Sequence, residues 1–295
     1  MISRSIPSTL VLHLGAHKTA STHLQHSIMA ALPLDGVTFA GPQILRGRGK
    51  SLPERFGFPL DPDDAQVSEL SPHDALVELA DGADRLVLSE ETFAGKMQRG
   101  WGRIPTPLYF TAPQRVAKFA HIISEGGGPP IDLCLSMRNP TDYLGSAYSQ
   151  ILNGNRIILP EKYRDKNPFT IVDWADYCSR LRATPGVRSL TVWRYEDYAD
   201  LFSQICIAVV GTAQITPLPD RIQPRLSEQA VDAILVAKHL TGPEFIHKAA
   251  QALPIGPDNP PYDLYDTQTH ARSWAFYAEQ CAAIAAMSDV NFLQK

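Results

Sequence analysis

The chain has 295 residues, close to the largest size that one hydrophobic core serves. Its formal net charge of −4, with 44% hydrophobic and 20% charged residues, excludes a protein devoted to coating nucleic acid, so any anion site must be local. No run of about 18 apolar residues occurs, so no membrane span is expected.

In chain order the apolar patterning predicts a strand over 9–14, helices over 21–31 and 74–79, a strand over 85–88 and a helix over 113–125. A strand over 132–137, helices over 142–152 and 171–181, and a strand over 189–193 follow. The last predicted helices cover 201–210, 228–239 and 268–287. Alternating strands and helices imply an α/β fold, a parallel sheet covered by helices on both faces, read as one domain over 1–295. Ligands of such sheets sit at the carboxyl ends of the strands. Three loop-rich zones, 41–71, 218–225 and 256–261, are read equally as functional lids or as disorder.

The four cysteines, Cys134, Cys178, Cys206 and Cys281, are widely spaced in apolar or helical contexts with no CxxC pair. Buried thiols are expected rather than disulfides or a zinc site. The only Asn-x-Thr triplet is closed to glycosylation because Pro140 follows Asn139. The apolar run before the first polar loop is too short for a secretory signal, and a cytoplasmic setting is the expectation.

Chemistry concentrates after the first strand, in "LVLHLGAHKTASTHLQ", residues 10–25. A strand, a tight turn and a helix start bring unpaired amides and the positive end of a helix dipole together, which suits phosphate. Lys18 adds a charge, and Thr19, Ser21 and Thr22 add hydroxyls. Ser21 or Thr22 is equally suited to be a plain N-cap. Neither the Walker pattern nor the G-x-G-x-x-G pattern is met, since Gly15 is the one glycine present.

The stretch resembles the 5′-phosphosulfate loop of sulfotransferases that use 3′-phosphoadenosine-5′-phosphosulfate (PAPS), a Lys-[ST]-Gly-[ST]-[ST] turn between a strand and a helix. In "HKTASTHLQ", Lys18, Thr19, Ser21, Thr22 and Gln25 fall on the matching positions, with His17 beside the loop. Ala20 stands where that family has glycine, and is expected to keep a right-handed conformation. A second match is "RNPTDYLGS", similar to the family's 3′-phosphate motif, with Arg138 eight positions before Ser146. An arginine at a strand end can fork two hydrogen bonds onto a phosphate. "LTVWRYEDY" and "QPRLSEQAVDAI" resemble later segments of bacterial and carbohydrate-type members; Tyr195 and Glu196 are read as structural, Ser227 as an N-cap, and Arg225 as a possible nucleotide contact.

The resemblance implies a P-loop-NTPase-like fold and transfer of a sulfonate from PAPS to an acceptor hydroxyl, with release of 3′-phosphoadenosine-5′-phosphate (PAP) and no metal. The loop residues His17, Lys18, Thr19, Ala20, Ser21 and Thr22, with Arg138 and Ser146, are then the expected nucleotide ligands. The base is expected at the end of "RLVLSEE", where Glu90 takes the family's position and Glu91 is its neighbour; His13, His17 and His23 are alternatives. Lys18 would stabilise the leaving phosphate. The arginines and Lys50 of "ILRGRGKSLPERF" are read first as a solvated basic loop, and second as the lining of a cleft for an anionic sugar or lipid acceptor. The other readings are a P-loop kinase acting on a small molecule, with Glu90 as a magnesium carboxylate, and a non-catalytic nucleotide-binding relic.

Overall fold

A computed structural model describes residues 5–47, 51–60, 68, 70–219, 225–237 and 243–295. Six strands form one sheet: β1 Thr9–His13, β2 Val37–Ala40, β3 Arg85–Ser89, β4 Ile131–Met137, β5 Val187–Arg194 and β6 Val290–Leu293. Their order is β2-β3-β1-β4-β5-β6 and every pairing is parallel. The helices between them are α1 Ser21–Ala30, α2 Pro42–Leu45, α3 Leu52–Phe56, α4 Pro72–Ala80, α5 Ala112–Glu125 and α6 Pro140–Asn153. The second half adds α7 Pro160–Lys166, α8 Trp174–Arg182, α9 Phe202–Val210, α10 Glu228–Val236, α11 Pro243–Ala252 and α12 Thr267–Ala285. Zone 41–71 therefore carries α2 and α3, and the predicted positions 238 and 239 lie outside the described residues.

Strand side chains alternate between two cores. Leu10, Leu12, Leu86, Leu88, Leu133 and Leu135 join Leu76, Phe119, Tyr143, Tyr177 and Ile284 from α4, α5, α6, α8 and α12. Val11, Val87, Cys134 and Trp193 face the other way, onto Leu24 and Ile28 of α1 and Ile205 and Val209 of α9. Both faces are thus covered, which is why the central strands read as near-continuous apolar runs. The two strands absent from the sequence reading, β2 and β6, are four-residue edge strands with only part of their side chains buried. All four cysteines are free thiols, three of them buried. Among the described residues no helix is long and apolar enough to cross a membrane.

The topology creates the crevice. The chain leaves β1 toward β2 on one side, and leaves its neighbour β4 toward β5 on the other. Loops that depart in opposite directions from adjacent strands open a cleft at their carboxyl ends. The Lys18 loop follows β1 and Arg138 follows β4, so both motifs end at this point.

His13, the last residue of β1, is 1% exposed and sits beneath that crevice. Its Nδ1 lies 2.7 Å from Ser89 Oγ and its ring stacks on Trp193 at 5.8 Å. Burial pushes its pKa from 6.5 down to about 4, so the folded chain keeps it neutral while the unfolded chain protonates it first. This contribution to stability is complete above pH 6.5 and is lost as pH falls toward 4. The expected loss over that window is about 3 kcal/mol. Denaturant unfolding of the wild type and His13→Gln between pH 7 and 4 measures it; parallel pH profiles for the two chains would refute the assignment.

Candidate functional site

The loop between β1 and α1 is built from three residues with positive φ: Gly15 at 51°, Lys18 at 69° and Ala20 at 67°. Gly15 has a second reason to be glycine, since a Cβ there would collide with the Ser21 hydroxyl. Ala20 is not right-handed as expected from its sequence; it occupies the left-handed N-cap position of α1. The turn imposes the conformation that glycine would adopt freely, and alanine bears a cost of about 1 kcal/mol.

No side chain caps α1, so neither Ser21 nor Thr22 spends its hydroxyl on the first-turn amides. Ser21 Oγ is buried with no hydrogen-bond partner in the structure, while Thr22 is half-buried. The hydroxyl of Thr19 is used differently: it donates to Ala16 O at 2.6 Å and accepts from Ala16 N at 3.2 Å, stapling the loop. Gln25 donates to Ser89 Oγ at 3.0 Å and holds α1 on the end of β3.

Arg138 links the two motifs. Its Nη1 donates to Lys18 O at 2.9 Å and its guanidinium lies 4.2 Å over the Tyr195 ring. Its Nε is buried without a partner, and its own carbonyl accepts from Trp174 Nε1 at 2.7 Å. Burial and then the nearby Arg225 charge lower its pKa, so two guanidinium groups share this corner. Arg225 donates to Asp142 O and Oδ1 at 2.6 and 2.8 Å and packs over Gly145, next to Ser146. Ser146 is 8% exposed. Glu196 accepts from Asn139 N at 2.7 Å and from Tyr277 at 3.1 Å, and Ser227 caps α10, both structural as expected.

Glu90 and Glu91 part company. Glu90 is fully buried, and Arg46 grips it with Nε to Oε2 at 2.7 Å and Nη2 to Oε1 at 2.5 Å. Oε1 also accepts from Thr92 N at 2.9 Å and Thr92 Oγ1 at 2.8 Å. The expected base is therefore a carboxylate already engaged on both oxygens. Glu91 instead lies against Gly15, with Cγ 3.5 Å from where a Cβ there would stand. Burial lowers the Lys18 pKa; the Glu91 charge raises it and the Arg138 charge lowers it. His17 is also lowered by burial, again opposed first by Glu91.

The histidine alternatives separate as well. His13 is neutral under the sheet edge, and His23 is bound on both nitrogens, by Tyr198 OH and Leu218 O, each at 2.8 Å. His17 stacks on Tyr109, whose hydroxyl lies 2.9 Å from its Nδ1 and 2.9 Å from Tyr143 OH. Tyr109 carries no local sequence signal, and Arg46, read as part of the basic loop, gave no sign of Glu90 as its partner, because both reach the site from segments distant in the chain. Arg48 and Lys50 lie outside the described residues, while Arg55 is not the solvated residue expected: it is buried in α3 and pairs with Glu78 at 3.1 Å. Among the described residues no group of three His, Cys, Asp or Glu side chains could hold a metal ion.

No protein-family model matches the chain, and no curated protein matches it. A solved structure of a sulfotransferase from Alicyclobacillus acidocaldarius is similar at 15% identity and a TM-score of 0.44, covering 84% of this chain and 96% of that one.

Two consequences can be measured. Removing Arg46 strands a buried carboxylate, so Arg46→Ala should cost about 2–3 kcal/mol, and Arg46→Ala with Glu90→Gln should recover most of it. Additive losses in denaturant unfolding would deny the coupling. Ala20→Gly should stabilise the chain by about 1 kcal/mol, because glycine adopts the left-handed position freely. A lowered midpoint for that variant would contradict the strain.

Proposed function

We propose that the chain is a PAPS-dependent sulfotransferase. The observation that carries this reading is the hydrogen bond of 2.9 Å from Arg138 Nη1 to the Lys18 carbonyl, which joins the loop after β1 to the arginine after β4. On one side stand Lys18, the uncapped α1 terminus and the partnerless Ser21 hydroxyl. On the other stand Arg138 with its orphaned Nε, Arg225 and Ser146. A nucleotide with separate 5′ and 3′ phosphates fits this donor set, because one phosphate would leave half of it unused.

In this proposal His17, Lys18, Ala20, Ser21 and Thr22 line the 5′ side through side chains or amides, and Thr19 shapes the loop. Arg138, Ser146 and Arg225 hold the 3′ phosphate. PAPS supplies the sulfonate on a mixed phosphoric–sulfuric anhydride. An acceptor oxygen bonds to sulfur as the sulfur–oxygen bond to the phosphate breaks. Lys18 compensates charge growing on the leaving phosphate, which is electrostatic catalysis in a dry site. The acceptor proton needs a base with a free lone pair at hydrogen-bond distance. Glu91, beside Gly15 and electrostatically coupled to Lys18, takes this role in preference to Glu90, whose oxygens hold Arg46 and Thr92. The same engagement removes Glu90 from the magnesium role that a kinase would give it. The acceptor is an alcohol of a carbohydrate, lipid or small molecule.

PAP titration by calorimetry and transfer from labelled PAPS test the proposal together. Arg138→Ala should weaken PAP by about 2–5 kcal/mol. Lys18→Ala should abolish transfer. Glu91→Gln should lower kcat by about 10²–10⁴ with PAP affinity kept, whereas Glu90→Gln should act on stability first. Equal PAP affinity in wild type and Arg138→Ala would sink the nucleotide site, and full activity in Glu91→Gln would return the base to Glu90.

A further inference from the structure

We infer that the hairpin at residues 99–103 is a docking tip for an anionic lipid surface. Its backbone is a closed antiparallel bridge, with Arg99 N donating to Arg103 O at 2.9 Å and Arg103 N to Arg99 O at 3.0 Å. The tip, Gly100-Trp101-Gly102, has positive φ at both glycines. Trp101 is 68% exposed, the most exposed aromatic side chain among the described residues. A Cβ on Gly100 would meet nothing within 4 Å, so the Gly100–Trp101 side of the turn faces open space, while Gly102 is buried at its base.

The base of the hairpin is rigid. A Cβ on Gly102 would collide with Ile151 of α6 and press on Ile158 and Tyr163. Gln98 donates to Tyr163 OH at 3.0 Å and Ile104 N to Asn167 Oδ1 at 2.7 Å, one on each side of the bridge. Arg156 Nη1 reaches Gly100 O at 3.0 Å, and Arg99 lies 4.4 Å over the Phe110 ring. A mobile loop could hide its tryptophan; this one is built to hold it out.

Two features of the tip are costs to the isolated chain. A large indole is left in water, and Arg99 and Arg103 are opposed across a bridge, where like charges destabilise. No acidic residue occurs between Glu91 and Glu125, although the chain as a whole is net negative, so nothing nearby in sequence neutralises the pair. Both costs are repaid at an interface that offers apolar depth and anionic headgroups together. Tryptophan is favoured at that depth, and basic side chains beside it are attracted by anionic lipid. A convex tip is the wrong shape for enclosing a sugar, for which concave walls are the rule. The inference does not depend on the sulfotransferase reading.

Sedimentation with vesicles of phosphatidylcholine and phosphatidylglycerol in equal parts, against phosphatidylcholine alone, tests it. The full chain should bind the anionic vesicles only, and bind less as salt rises. Trp101→Ala should weaken binding at least about tenfold, and charge reversal in Arg99→Glu with Arg103→Glu should abolish it, at about fivefold or more per arginine. Tryptophan emission should shift blue with anionic vesicles in the wild type and not in Trp101→Ala. Unchanged melting of both variants confirms that the fold is kept. Vesicle binding untouched by Trp101→Ala, or no binding to either vesicle, overturns the inference. Binding to heparin that needs Trp101, without vesicle binding, reassigns the tip to a polyanionic glycan.

Discussion

The hydrogen bond from Arg138 to the Lys18 carbonyl joins the ends of two adjacent strands and sets what the crevice can hold. Lys18 adopts a left-handed conformation, and in it the carbonyl accepts from β4's terminal arginine. Arg138 is pinned from three directions, by that carbonyl, by the Tyr195 ring and, through its own carbonyl, by Trp174. Trp174 packs edge-on against Tyr143, which hydrogen-bonds Tyr109, which in turn meets His17. An aromatic wall therefore returns from the second motif to the first, and the loop and the arginine are held as one rigid unit. Such an arrangement needs little reorganisation when an anion enters.

Gathering Lys18, Arg138 and Arg225 in one partly buried place is unfavourable unless acidic groups share it. The chain supplies Glu91, whose charge acts on Lys18, and Asp142, which accepts from Arg225. Glu90 meets a different need, since it is locked under Arg46 and fixes α2 against the end of β3. The two glutamates follow β3 directly, and they part because Glu90 is still extended while Glu91 already opens a short 3-10 turn. One carboxylate is spent on architecture, and its neighbour is the one the proposed mechanism can use.

The alternation of strands and helices, and the two turns that follow β1 and β4, were legible in the sequence because each is local, a run and the turn that ends it. The α6 start is an example: Pro140 opens the helix and Asn139 caps it within three residues. Features assembled across the chain were not legible. Arg46 comes from 44 residues before its partner Glu90, and Tyr109 from 92 residues after His17. Ala20 misled for another reason. The absence of glycine suggested a right-handed turn, yet the strand and helix on either side dictate the backbone path, and the residue follows it against its own preference. The edge strands β2 and β6 escaped because four half-buried residues carry too little periodicity to stand out.

The strain at Ala20 also bears on how the loop works. A hydroxyl cap on α1 would satisfy a first-turn amide and remove it from the anion site. Alanine at the cap cannot do this, and Thr19, which could reach, is turned inward onto Ala16. The helix terminus thus keeps its donors and its dipole unspent, and the buried Ser21 hydroxyl remains beside them. In the proposed site, an anion held at this terminus would restore the stability that its unsatisfied donors cost. On that proposal the exchange would favour binding over resting stability, which is how a residue with the wrong backbone preference could stand at this position.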